Sequence, residues 1–170
     1  MVDQEVVDQE VVILRVTEND WRALRAVRLA ALAEAPTAFG STARREQDFD
    51  EDRWRAWARS AAMFVAVAGE SAVGIAAGVA GKSGVERKLV AMWVSPRWRG
   101  RDVASRLMSA VIDWSGVEGA ERVTLWVAQG NEPARRLYRR RGFRFTSGRK
   151  PLPSNPALFI DEMALDLPLA

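Results

Sequence analysis

The sequence predicts an α/β fold in which a mixed, mostly antiparallel sheet of about seven strands carries helices on both faces. The main observation is a strand–helix–strand unit. Leu89 to Val94 form an apolar run of strand length, Val103 to Trp114 repeat apolar residues at helical spacing, and Val123 to Val127 form a second buried strand. A crossover helix between two strands makes them parallel neighbours.

Two hairpins account for the antiparallel part of the sheet. The apolar runs Met63 to Ala68 and Ala72 to Ala80 are separated by Gly69-Glu70, which predicts a tight turn. Phe143 to Thr146 and Ala157 to Leu165 predict a closing pair of strands. We expect the Pro-rich stretch between them, residues 151–156, to be a surface loop.

The chain begins with a tandem duplication of Val-Asp-Gln-Glu-Val over residues 2–11, which we interpret as a frayed tail covering residues 1–10. A strand follows at Val11 to Val16. Thr17 and Asp20 have capping-box spacing before a helix that ends near Pro36, and a second helix is expected from about Asp50. No linker divides the chain, so we predict one domain over residues 11–168.

A further helix is predicted after the Val123 strand. Asn131 is a favourable N-cap, Pro133 lies in the first turn where it is tolerated, and Gly142 lies where a left-handed C-cap is expected. The last turn carries three cations, which suit the negative end of the helix dipole: Arg139, Arg140 and Arg141.

The composition excludes several kinds of chemistry. The 170 residues contain no cysteine and no histidine, which excludes a thiol nucleophile, a disulfide framework, a Cys/His zinc site and a histidine base, and we expect no metal. The net charge of +3 is too mild to indicate nucleic acid binding. No apolar run has the length of a membrane span and no signal peptide opens the chain, so we expect a cytoplasmic protein without membrane contact.

The turn between the Leu89 strand and the next helix is a candidate anion site. A helix start leaves about four backbone N–H groups unpaired and carries a partial positive charge. Gly100 allows close approach of the backbone, and three arginines surround the turn. The pattern suits an anion with several oxygens, such as a pyrophosphate. The alternative is an ordinary turn with a solvated basic face.

Two stretches carry a resemblance to a known family. Residues 97–102 read Arg-Trp-Arg-Gly-Arg-Asp and match the loop form Gln/Arg-x-x-Gly-x-Gly/Ala except at Asp102. Asn-x-x-Ala-x-x-Leu-Tyr-x-x-x-Gly-Phe is complete over Asn131 to Phe143. In this order, separated by one strand, the two motifs resemble those of the GNAT superfamily of N-acetyltransferases. The resemblance covers about Val11 to Leu167.

The resemblance implies that two parallel strands splay apart and hold acetyl-CoA as co-substrate between them. Its pyrophosphate would lie on the Gly100 turn, and the N–H near Val94 would stabilise the oxyanion. Carried over position by position, the residues implied in acetyl-CoA binding are Met92, Trp93, Val94, Arg99, Gly100, Arg101, Asp102, Val103, Ala104, Asn131, Ala134 and Tyr138.

The implied reaction is direct attack of a primary amine on the acetyl group through a tetrahedral intermediate. Tyr138, the only tyrosine, falls at the position of the general acid that protonates the departing CoA sulfur. The alternative is a core aromatic. Glu86 is a candidate general base because some members place a glutamate there, with Glu34 as a second candidate. Water alone serves in many members.

The acceptor pocket is expected between the loop Glu34 to Ser41 and the closing loop Lys150 to Pro156, with Phe39 and Glu34 lining it. Neither loop identifies the acceptor, a small amine or a peptide amine. Asp102, where the family has glycine, places a carboxylate near the pyrophosphate and should weaken binding without abolishing it.

Three alternatives remain open from the sequence. One is an acyl-CoA-binding domain that has lost catalysis, for which Asp102 is the only indication. Another is a basic nucleic-acid-binding protein, because five arginines cluster between Arg135 and Arg141. The same arginines could instead hold the 3′-phosphate of CoA. Related proteins often dimerise, so a homodimer is a further expectation.

Overall fold

One seven-stranded sheet with the strand order β1-β2-β3-β4-β5-β7-β6 organises the chain. The computed structural model describes residues 9–168, so most of the predicted tail lies outside the described residues. The strands are β1 (Val11–Arg15), β2 (Ala62–Ala68), β3 (Ser71–Ala80), β4 (Glu86–Val94), β5 (Arg122–Ala128), β6 (Arg144–Leu152) and β7 (Asn155–Asp166). The helices are α1 (Trp21–Glu34), α2 (Ala43–Glu46), α3 (Glu51–Ser60), α4 (Val103–Val117) and α5 (Glu132–Arg140).

The strand pairing confirms the predicted mixed sheet. β4 and β5 are parallel, as the strand–helix–strand pattern predicted, and the other neighbouring pairs are antiparallel. The parallel ladder is short. It consists of the pairs Glu86–Arg122, Arg87–Val123 and Lys88–Thr124. Beyond Lys88 and Thr124 the two strands diverge toward their carboxyl ends. This divergence is the predicted splay.

A β-bulge lies in β4 just beyond the end of the ladder. Ile75 of β3 pairs with Trp93 and Ala77 pairs with Val90, so Ala91 and Met92 together oppose one residue of β3. Ala91 has φ +57°, a left-handed conformation that costs a non-glycine residue roughly 1–2 kcal/mol. A bulge bends its strand and increases the local twist, which helps to turn β4 away from β5.

The sheet separates two hydrophobic cores. On one face α1 packs against β3 and β4, and α3 packs against β2. On the other face α4 packs against β1 to β4, and its residues Val103, Leu107 and Val111 are buried there together with Tyr138 of α5. We call the first face the α1 face and the second the α4 face. No helix within residues 9–168 combines the length and apolarity that crossing a bilayer requires.

The capping signals in the sequence correspond to real helix ends. The Asp20 carboxylate accepts from the backbone N–H of Thr17 at 2.9 Å. Asp50 Oδ1 accepts from the N–H of Arg53 at 2.9 Å, and Asn131 Oδ1 from the N–H of Ala134 at 3.3 Å. Gly142, just beyond α5, has φ +92°. These contacts fix where α3 and α5 begin and where α5 ends.

The prediction of a Pro-rich surface loop at residues 151–156 is wrong. β6 continues through Pro151, which pairs with Phe159, to Leu152, which pairs with Asn155. Because β6 is the edge strand of the sheet, Pro151 can leave its missing N–H on the unpaired side. The connection is therefore the two residues Pro153 and Ser154. The four-residue helix α2 was not predicted.

A buried ion pair fixes α2 against α1. Arg28 donates to both carboxylate oxygens of Glu46 at 2.9 Å, and these residues are 7% and 5% exposed. The guanidinium carbon of Arg28 also lies 4.8 Å from the ring centroid of Phe39 and 5.3 Å from that of Trp57. The pair thus joins α1, α2, α3 and the segment that carries Phe39.

We predict that Glu46→Ala lowers the free energy of unfolding by about 3–5 kcal/mol, because it leaves the Arg28 charge buried without its carboxylate. The control is Glu51→Ala. It breaks the exposed Arg55–Glu51 pair and should cost less than about 1 kcal/mol. Urea denaturation of both variants measures the difference. Equal losses would contradict a structural role for the buried pair.

Candidate functional site

The candidate site is the wedge between β4 and β5 beyond Lys88 and Thr124. The outer sides of these strands pair with β3 and β7, whereas the sides that face the wedge leave the ladder. Backbone groups on the facing sides of Leu89 to Val94 and Leu125 to Ala128 thus form no ladder between the strands, so a ligand could pair there as an extra strand would. The carbonyls at the two ends, of Val94 and Ala128, accept from Arg99 Nε and from the N–H of Asn131. The wedge opens toward the turn that begins α4.

The turn between β4 and α4 places backbone amides at the open end of the wedge. Pro96–Trp98 forms a short 3₁₀ turn, after which Gly100 has φ +75° and Asp102 has φ +63°. A Cβ built on Gly100 would meet no atom within 4 Å, so the space above this residue is open. The left-handed conformation is one that glycine adopts freely and that aspartate tolerates at a cost.

These amides form a cradle for an anion. Within residues 9–168, the backbone N–H groups of Gly100, Asp102, Val103 and Ala104 donate to no protein acceptor. They precede the 15-residue helix α4, so its dipole adds positive potential at the same point. Arg101 lies beside this turn with its guanidinium carbon 5.6 Å from the ring centroid of Trp98. The arrangement suits a pyrophosphate, and we call it the amide cradle (Gly100 to Ala104).

Arg99, which the motif placed among the pyrophosphate residues, forms its contacts on the α1 face. Its Nη2 donates to Glu34 Oε2 at 2.6 Å and its Nε donates to the carbonyl of Val94 at 3.0 Å. Trp93 Nε1 donates to the same Glu34 oxygen at 2.8 Å. The Trp93 hydrogen bond lowers the pKa of the Glu34 carboxyl most, burial opposes it, and Arg99 adds to the lowering, so the pKa lies below its usual value.

Tyr138 lies on α5, on the α4 face of the wedge. The residue is buried, with its ring centroid 6.0 Å from that of Phe143. Burial raises the pKa of its hydroxyl to about 12. In the part of the chain that the structure describes, no side chain or backbone group forms a hydrogen bond with this hydroxyl. Ala134 and Asn131 lie about one and two turns before it, and the Asn131 side chain is engaged as the N-cap.

Glu86 lies at the first residue of β4, in the half that is still paired with β5. Its Oε1 accepts from the backbone N–H of Lys82 at 3.1 Å and from the Thr124 hydroxyl at 3.2 Å. These contacts close the turn before β4. The structure therefore places Glu86 behind the apex of the wedge, while Glu34 lies beside its open half.

The two segments expected to form the acceptor pocket contact each other. Ser154 Oγ donates to the carbonyl of Phe39 at 2.6 Å, and Pro153 lies 3.6 Å from the position that a Cβ on Gly40 would occupy. Phe39 itself is buried against Arg28. The β6–β7 connection and the segment after α1 thus form a bridge across the α1 face, near β5.

Sequence reasoning missed a polar cluster on this face of β5 and β7. Glu162 of β7 is buried opposite Trp126 of β5, and it accepts from Lys82 Nζ at 2.8 Å and Thr146 Oγ1 at 2.7 Å. The sequence did contain an indication of this cluster: the acidic pair Asp161-Glu162 interrupts an otherwise apolar predicted strand. Asp161 points to the opposite face and accepts from Gln129, Arg135 and Arg149.

Comparisons with known proteins agree with this geometry. The model of the acetyltransferase (GNAT) family matches residues 28–143. None of the curated proteins matches the chain.

Several solved structures share the fold. A GNAT-family acetyltransferase from Streptococcus pneumoniae superposes with a TM-score of 0.75 at 17% identity, over 94% of this chain and 100% of that one. The yncA protein of Salmonella typhimurium, solved with its cofactor acetyl-CoA, gives 0.77 at 18% identity over 95% and 96%. A ribosomal-protein-alanine N-acetyltransferase from Brucella melitensis gives 0.75 at 20% identity over 92% and 99%.

These structural likenesses establish the fold. The family model covers more than half of the chain, including both motifs, residues 97–102 and 131–143. The splayed strands, the amide cradle and the family match lead to one conclusion: the chain belongs to the GNAT family of acetyltransferases.

Proposed function

We propose that the protein is an N-acetyltransferase that moves the acetyl group of acetyl-CoA to a primary amine. One observation carries the proposal: the wedge between β4 and β5 ends at the amide cradle. A ligand with amide groups at one end and a pyrophosphate at the other matches both parts. The pantetheine and diphosphate of CoA have this composition.

Each group of residues would have one role in the half of the site that binds the acetyl donor. The amides from Gly100 to Ala104 would bind the diphosphate, and Arg101 would add charge nearby. The backbone of Met92, Trp93 and Val94 would pair with the pantetheine in the wedge, and an N–H near Val94 would face the developing oxyanion. Asn131 and Ala134 would line the wedge from α5.

Transfer requires a neutral amine that attacks the acetyl carbon, so that a C–N bond forms while the C–S bond breaks. The sulfur gains the electron pair and needs a proton. A tyrosine with a pKa of about 12 keeps its proton at neutral and moderately basic pH. Burial makes Tyr138 a weaker acid than an ordinary tyrosine. Its contribution is therefore a hydrogen bond to the sulfur as charge develops, with the proton following.

The contacts of the two candidate bases favour water as the proton acceptor from the amine. Glu34 is held by Trp93 and Arg99 with a lowered pKa, which makes it a poor base while Arg99 stays in place. Glu86 is engaged behind the apex of the wedge. A pH–rate profile of Glu86→Gln that differs in shape from that of the wild type would restore Glu86 as the base.

The arginine cluster of α5 gives less support to nucleic acid binding than its sequence suggested. Arg135 lies 3.1 Å from Asp161 Oδ2 and 3.4 Å from Glu132 Oε1, and Arg141 donates to Ser109 Oγ. These contacts use two of the five cations inside the fold. Arg136, Arg139 and Arg140 form no ion pair within residues 9–168, although Arg139 lies over the ring of Phe145, and they would be placed to bind the 3′-phosphate of CoA.

We predict that Tyr138→Phe lowers the rate of acetyl transfer about 10²–10⁴-fold, because the variant removes the hydroxyl that serves the departing sulfur. Acetyl-CoA affinity should change little, since the ring and its packing against Phe143 remain. Steady-state kinetics and calorimetric titration measure the two quantities. A rate within threefold of the wild type would identify Tyr138 as a core aromatic.

We also predict that Asp102→Gly binds acetyl-CoA more tightly. Glycine relieves the left-handed strain at this position and removes a carboxylate beside the amide cradle. Asp102→Asn is the matched control, because it removes the charge and keeps the side-chain size. Calorimetry should show a gain of about three- to tenfold for glycine and part of that gain for asparagine. An affinity no better than that of the wild type would show that Asp102 does not face the diphosphate.

A further inference from the structure

The lysines of this chain are few and lie together. Of the 25 basic residues three are lysines, Lys82, Lys88 and Lys150, and all of them lie on the α1 face. Two of them lie near the ring of Trp126. Lys150 Nζ is 4.3 Å and Lys82 Nζ 5.9 Å from the ring centroid. Lys88 pairs with Val79, which packs in the α1-face core, so its side chain points to the same side. We call these residues the lysine platform.

The lysine platform adjoins the wedge. Lys88 and Thr124 are the last paired residues of β4 and β5, and Trp126 lies two residues beyond Thr124 in the part of β5 that has left the ladder. From the same side, the turn Pro36–Ala38 meets β5, and Ser154 reaches Phe39 across it. Trp126 therefore lies beside the wedge, on the face that this bridge crosses.

Residues of β6 and β7 fix the positions of Lys82 and Trp126 in the lysine platform. Glu162 fixes Lys82 through the 2.8 Å ion pair and is itself bound by Thr146. A Cβ on Gly148 would lie 2.8 Å from Glu162 Oε2 and 3.2 Å from Trp126 Cη2, so the absence of a side chain there gives these two residues their space. The hydrogen bond and charge of Glu162 raise the pKa of Lys82, which keeps it an ammonium rather than a nucleophile.

Within residues 9–168, the salt bridges on this face leave out two lysines, Lys88 and Lys150, and one carboxylate, Glu86, so a single positive charge is in excess. Glu34 is paired with Arg99 and Glu162 with Lys82, while Glu86 is bound by an N–H and a hydroxyl. Within residues 9–168, neither Lys88 nor Lys150 forms a salt bridge. Lys88 is half-buried on β4, where a cation gains more from an anionic partner than it would in bulk water.

We propose that the acceptor is an amine that also carries a carboxylate, with the carboxylate bound by Lys88 and Lys150 over Trp126 and the amine directed into the wedge. The inference rests on the proposed function, because it assigns the acceptor half of that same site. A singly charged carboxylate suits the platform better than a phosphate dianion, since Glu86 and Glu162 lie on the same face and repel the second charge.

The experiment compares acceptors that differ in the carboxylate alone. A panel of ω-amino acids, from glycine to 6-aminohexanoate, is measured against alkylamines of the same length, and phenylalanine against phenylalaninamide and phenethylamine. A hydrogen-bonded ion pair with a lysine predicts that kcat/KM for the best acid exceeds that of its neutral partner roughly tenfold or more.

Variants of the platform assign the effect to its residues. Lys88→Met and Lys150→Met should each lower kcat/KM for the best acid about tenfold and leave the matched alkylamine within about twofold. Lys150→Arg keeps the charge and should retain most of the preference. Arg44→Met, which removes an exposed cation from α2, is the control for general loss of charge and should change neither substrate.

The outcomes separate this inference from the proposed function. Transfer to neutral amines that equals or exceeds transfer to the acids would overturn the lysine assignment and leave the N-acetyltransferase in place. Equal effects of Lys150→Met on acid and alkylamine would overturn it as well. Absence of transfer to every amine, with acetyl-CoA binding intact, would overturn the proposed function and this inference with it.

Discussion

The loss of pairing between β4 and β5 after Lys88 and Thr124 is the constraint on which the rest of the structure depends. Parallel strands in the middle of a sheet normally satisfy each other's backbone groups, and leaving them open is costly unless a ligand or water takes their place. Each strand remains fixed on its other side by an antiparallel neighbour. The opening is therefore bounded on both sides by antiparallel pairing.

Two left-handed residues maintain this opening at its ends. Ala91 lies in the bulge where β4 turns away from β5, and Asp102 lies where the chain enters α4. Neither is glycine, so each costs the fold conformational energy that packing elsewhere must offset. Arg99, which lies between these two residues in the chain, binds the carbonyl at the end of β4 and Glu34 at the end of α1. One side chain thus joins the turn before α4 to α1.

Local signals made much of the fold predictable from sequence. The parallel pair follows from the spacing of Val103, Leu107 and Val111, and the ends of α5 follow from Asn131 and Gly142. The sequence did not predict the path of β6 through Pro151. Proline is compatible with a strand only at the edge of a sheet, and tertiary structure decides which strand lies at the edge. The contacts Arg99–Glu34 and Lys82–Glu162 join residues 65 and 80 positions apart, so no local pattern contains them.

The most direct measurement of the central claim is backbone amide hydrogen exchange with and without acetyl-CoA. Acetyl-CoA should slow exchange at Gly100 to Ala104 and at the wedge-facing amides of Leu89 to Val94 and Leu125 to Ala128. Amides in β1 and β2, which lie far from the wedge, should exchange at unchanged rates. Binding of acetyl-CoA without added protection at these three segments would contradict a donor site between β4 and β5.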